Sequence, residues 1–140
     1  MKISTKGRYA LRLMLDIALH CGDGPVSLRD AAGRQEVSDK YLEQIVTQLG
    51  RNGLVQSVRG AGGGYLLTKG PEEYTVGEIL RCLEGSLSPV DCAEDAGCCG
   101  RSGQCVTVEV WDRIAQAVNQ VVDNITLADL VRRHHEKLEG

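Results

Sequence analysis

Four cysteines, Cys92, Cys98, Cys99 and Cys105, stand within the stretch CAEDAGCCGRSGQC of a 140-residue chain that holds six. Thiols this close together, among small and polar residues, suit three chemistries: a disulfide staple, a soft-metal or cluster site, or a reversible oxidation switch. The redox compartment separates the first from the others. Basic residues precede an apolar run in MKISTKGRYALRLMLDIALHCG, but Arg8, Arg12 and Asp16 interrupt it and no small-residue cleavage site follows. No stretch is apolar for long enough to cross a bilayer. The expected location is therefore cytoplasmic, with no membrane contact. There thiols stay reduced, and clustered cysteines serve metal binding or redox sensing more often than staples. Zinc is possible on count, yet structural zinc favours ligands paired two residues apart, and adjacent Cys98 and Cys99 cannot easily share one ion. A disulfide switch between neighbouring thiols stays open.

The elements that must position these thiols follow from periodicity. With 42% apolar residues, no Phe and one Trp, the core must be built from Leu, Val, Ile and Ala, which favours helix packed on helix. Ala10, Leu13, Met14, Ile17, Ala18 and Cys21 recur at steps of three and four, so a first helix is expected from Thr5 to about Cys21, with Cys21 as a packed thiol. Ser27 with Asp30 caps a short second helix, LRDAAGRQE, and Ser38 caps a third, residues 39–51. On the third, Tyr41, Leu42, Ile45, Val46 and Leu49 face inward. Asp39, Lys40, Glu43, Gln44, Thr47, Gln48 and Arg51 face outward. LVQSV and YLL, separated by RGAGGG, read as a β-hairpin with Arg59 beside its glycine turn. Thr75 caps VGEILRCLEG, in which Cys82 is expected in the core. After the cysteines, Val108 to Ile125 is read as a long helix with Trp111, Ile114, Val118, Val121 and Ile125 along a stripe widened by Val110 and Val122. Thr126 with Asp129 caps a last helix, whose His134 and His135 are expected at the surface.

This order is that of a winged helix-turn-helix: mainly α, with a small β-hairpin wing and a long dimerisation helix. Three regions are expected: residues 1–85 as the DNA-binding unit, 86–106 as the cysteine-rich loop, and 107–140 as the dimerisation and C-terminal helices. The charge supports it. Formal net charge is -3, yet residues 1–70 hold ten Lys and Arg against six Asp and Glu, and residues 71–140 hold six against thirteen, so the first half suits a polyanion. Gln44, Thr47 and Gln48 can pair with base edges, and Lys40 and Arg51 suit phosphates. Glu43 can accept from a cytosine amino group or repel a wrong site. Arg59, on a thin glycine hairpin, can enter a narrow minor groove. The glycines match neither a P-loop nor a dinucleotide fingerprint. The broad apolar face of the long helix wants a partner, and a second copy is the economical one: a homodimer would present two recognition helices to a palindromic site in double-stranded DNA.

MKISTKGRYALRLM, SDKYLEQIV, RNGLVQSVRGAGGGYLL, CVTVEVWDRI and NITLADLV resemble the winged-helix repressors that include the regulators IscR, NsrR and CymR, over nearly the whole chain. The resemblance implies a homodimeric DNA-binding regulator, with three cysteines ahead of the dimer helix that hold an iron-sulfur cluster (2Fe-2S or 4Fe-4S) in many members and are absent from others. By position, Cys92 and Cys105 match the first and third ligands. The middle ligand is Cys99, which keeps five residues before Cys105, or Cys98, which keeps five after Cys92. The histidine that IscR-type members carry three positions after the third cysteine is replaced by Val108, so a fourth ligand must come from elsewhere. SLSPVD is similar to the CymR branch, which implies a regulator of sulfur metabolism working through a thiol switch or with a cysteine-biosynthesis enzyme as partner. A redox or metal-carrying protein without DNA function is the alternative of another class. It predicts no salt-sensitive DNA affinity. No acid-base pair, nucleophile elbow or cofactor loop suggests an enzyme.

Overall fold

The computed structural model describes residues 2–90 and 105–139. Six helices and one hairpin follow in the order α1 (Thr5–His20), α2 (Leu28–Gln35), α3 (Asp39–Arg51), β1 (Val55–Val58), β2 (Gly64–Leu67), α4 (Val76–Glu84), α5 (Val108–Val122) and α6 (Leu127–Glu139). The expected caps at Ser27, Ser38, Thr75 and Thr126 are present, and Ser4 adds one at α1. Ser4, Ser27, Ser38 and Thr75 accept from the N–H groups of Gly7, Asp30, Tyr41 and Glu78, each three residues on. Thr126 and Asp129 exchange both bonds of a capping box. Thr75 makes only half of one, because the Glu78 carboxylate pairs with Lys69.

The core lies where α1, α2 and α3 converge, built on Leu13, Met14, Ile17, Ala31, Ala32, Leu42, Ile45, Val46 and Leu49. Each buried Leu or Ile contributes roughly 1.5–3 kcal/mol. Asp16 is also buried, and the Arg34 guanidinium answers it bidentately at 2.8 and 2.7 Å, tying α2 to α1. Tyr74, fully buried, donates its hydroxyl to the Leu54 carbonyl at 2.7 Å and accepts from the Thr68 N–H at 2.9 Å. That one side chain fastens both ends of the hairpin to the core. β1 and β2 pair antiparallel from Val55↔Leu67 to Val58↔Gly64, and Val26 adds a further bridge to Tyr65. α6 packs back on α1, with Leu127 buried.

Three expectations are corrected. Cys21 is exposed, because α1 ends at His20 and a tighter 3-10 turn, Cys21–Asp23, swings the residue off the buried stripe. The long helix stops at Val122 rather than Ile125: the Ile125 carbonyl leaves the helical ladder to accept the Val76 N–H at 2.9 Å. His135 is exposed as expected, but His134 is half-buried, beside His20 and Arg34. Cys82 is partly buried against the core.

Candidate nucleic-acid interface

The cap at Ser38 starts the recognition helix, and its buried stripe of Leu42, Ile45, Val46 and Leu49 holds it on the core. Tyr41 packs half-buried beside that stripe, and the polar side chains of α3 are thereby turned outward. Lys40, Glu43, Gln44, Thr47 and Arg51 are exposed and Gln48 is half-buried, and with Lys6 they line a shallow depression of about 440 Å3. Lys6 comes from the first turn of α1. Sequence reading missed it, since only the docking of α1 on α3 brings this cation to the recognition face; its sole trace in the sequence was membership of the basic half.

The Thr47 hydroxyl donates to the Glu43 carbonyl one turn back at 2.7 Å. Its proton is spent within the helix, which leaves Thr47 with a methyl group and an acceptor at the surface rather than a donor. Gln44 and Gln48 keep amides of a type suited to base edges, and Lys6, Lys40 and Arg51 place cations around them, the charge that a phosphate contact requires. Glu43 is the acidic member of that surface, a carboxylate that would repel a phosphate and could accept from a donor such as a cytosine amino group.

Arg59 is exposed where β1 gives way to the turn. The turn needs its glycines: Gly60 and Gly62 have φ of 96° and 76°, and a Cβ on Gly63 would lie 2.2 Å from the Val58 carbonyl oxygen. The wing is thus thin just beyond Arg59, a shape that fits a minor groove.

The proposed cysteine site is described only at its C-terminal edge. Cys92, Cys98 and Cys99 lie outside the described residues. Cys105 sits just ahead of α5 with its thiol unpaired, and its Sγ is 2.8 Å from Thr107 Oγ1. The Thr107 hydroxyl first, and then the N–H groups of Thr107 and Val108, hold that thiol below the usual cysteine range. A favoured thiolate is what a soft metal requires, so the residue fits a cluster ligand. Val108 opens α5 and is half-buried. Among the described residues no three His, Cys, Asp or Glu side chains converge on a metal-sized site, and no helix is long and apolar enough to cross a membrane.

A three-helix unit with an exposed, capped third helix and a two-stranded glycine-tipped wing defines a winged helix-turn-helix DNA-binding protein. Residues 3–133 match the Rrf2 family, described as an iron-dependent transcriptional regulator, and the chain belongs to that family. It is similar to the HTH-type transcriptional regulator IscR of Yersinia pseudotuberculosis and of Serratia proteamaculans. Each is 44% identical over 131 residues, covering 94% of this chain and 79% of the relative. Two solved structures are alike throughout. The Bacillus subtilis global cysteine regulator CymR is 45% identical, with a TM-score of 0.80, over 95% of this chain and 98% of that one. T. potens IscR is 43% identical, with a TM-score of 0.81, over 98% and 90%. The protein is a DNA-binding transcriptional regulator and not an enzyme.

Proposed function

We propose that this regulator acts in the cytoplasm as a homodimer on a palindromic operator, with its occupancy set by an iron-sulfur cluster on Cys92, Cys99 and Cys105. Cys98 is the alternate middle ligand, and the cluster is 2Fe-2S or 4Fe-4S. The observation that carries the reading is Cys105: an unpaired, thiolate-favouring cysteine at the head of α5, in a chain that belongs to a family described as iron-dependent. Bound there, a cluster would supply sensitivity to oxidants, nitric oxide and iron supply. This chain's own residues do the rest. Cys105 anchors the loop to α5, Gln44, Thr47 and Gln48 read base edges, Arg59 enters the minor groove, and Lys6, Lys40 and Arg51 hold phosphates. In this division residues 1–85 bind DNA, 86–106 sense, and 107–140 dimerise.

The dimer reading rests on α5. No residue of it is buried, and Val110 and Val121 are 49% and 59% exposed while Val118 and Val122 turn to the body. Apolar side chains left outside along one helix suit a second copy. A second reading is a thiol-switched regulator of sulfur metabolism that works with a cysteine-biosynthesis enzyme. The close likeness to CymR favours it.

The test is a titration of a DNA duplex selected from a random pool by the wild-type protein, repeated at rising salt. Affinity is expected to fall steeply with salt, and the Arg59→Ala variant to bind at least about tenfold more weakly. Equal affinity for variant and wild type would overturn the wing assignment.

A further inference from the structure

α5 meets the rest of the described chain along one edge. Val118 and Val122 pack against Val76, Leu80 and Leu87, and a polar clamp lies beside them. The Arg81 guanidinium donates through Nη1 to Asp123 Oδ1 at 2.6 Å, and through Nη2 to Asn119 Oδ1 at 2.7 Å and Asp123 Oδ2 at 3.1 Å. Asn119 lies in the last turn of α5 and Asp123 caps its C-terminus one turn on, so a planar fork that grips both fixes the rotation of the helix as well as its distance. Gly77, one turn before Arg81, leaves the space that the two clamp side chains occupy. A Cβ there would lie 2.2 Å from Asp123 Oδ1 and 2.5 Å from Arg81 Nη1.

The next residue of α4 meets a different neighbour. The Cys82 thiol is directed at the Gln48 carbonyl of the recognition helix, 3.6 Å away, and α4 packs on α3. Consecutive residues of one short helix, about 100° apart around its axis, therefore contact α5 and α3. Exposed ion pairs add little stability, and the value of this one lies in its geometry.

We infer that Arg81 is the positioning residue that sets the angle of α5 relative to the recognition helix, and so the spacing of the two recognition helices across a dimer; this rests on the two-fold reading above. A phosphate contact tunes affinity for any operator alike, and a base-edge contact tunes which base is accepted. A residue that sets helix spacing tunes which operator spacing is accepted.

The experiment compares the selected duplex with versions in which one base pair is inserted or deleted between the half-sites, using wild type, Arg81→Ala and Asp123→Ala. Asp123→Ala breaks the same clamp from the exposed side of α5 and decides the matter if Arg81→Ala fails to fold. Wild type is expected to lose about tenfold or more on the altered spacings, comparable to a mismatched base pair, and the variants to lose no more than about twofold. A wild type indifferent to spacing overturns the two-fold reading itself. A wild type that discriminates beside folded variants that discriminate equally overturns the role of Arg81.

Discussion

Thr47 and Cys105 each show a local hydrogen bond deciding what a side chain can offer. Thr47 donates its proton to its own helix and is left as a methyl and an acceptor, which suits a thymine edge better than a phosphate. Cys105 has the hydroxyl of Thr107 and two backbone N–H groups favouring its thiolate, which suits a metal better than a buried thiol would. Cys105→Ala is therefore expected to remove the visible absorption of anaerobically purified protein; colour and iron that survive the change would refute the ligand assignment. Asp129 offers a check on pH. The Thr126 N–H first, and Thr126 Oγ1 and Arg132 after it, hold its carboxyl below the usual range. A depressed carboxylate stabilises the fold above its ordinary value of about 3.9 and loses that contribution as pH falls through its lower folded value. The thermal midpoint of wild type is expected to fall more steeply below about pH 4 than that of Asp129→Asn, with Asp123 leaving a residual dependence. Parallel curves would contradict the cap.

Elements that begin with a cap could be read from the chain because the signal is local: Ser27, Ser38, Thr75 and Thr126 each lie three residues before the N–H they accept. The cap on the recognition helix has a measurable consequence. Ser38→Ala is expected to lower stability by about 1 kcal/mol in urea unfolding, with Ser38→Asn largely restoring it; an unchanged midpoint would show that packing alone holds α3. What escaped the sequence was set by distant partners. Cys21 carries the periodicity of α1, but the helix stops one residue earlier. Ile125 carries the periodicity of α5, but its carbonyl answers Val76. Lys6 joins the recognition face only through the docking of α1 on α3. Periodicity registers a face, and it does not register which neighbour claims it.

At the scale of the whole molecule, α4 stands between α3 and α5. It touches α3 through Cys82 and α5 through Arg81, while Cys105 stands at the head of α5. If α5 joins two copies, a charge placed on its outer face must separate them. Val121→Glu is expected to sediment as a monomer at concentrations where wild type is a dimer, and to bind the selected duplex at least about tenfold more weakly, since one half-site is lost. A dimeric variant would move the interface elsewhere. The central claim is that the cysteine loop and the recognition helix are thermodynamically coupled, and couplings of this kind change affinity by about 5- to 150-fold. The most direct measurement is the affinity of anaerobically purified and chelator-stripped wild-type protein for the same selected duplex at one fixed salt concentration. The account predicts that the two differ by about fivefold or more; equal affinities, with both samples folded and iron present only in the first, would contradict it.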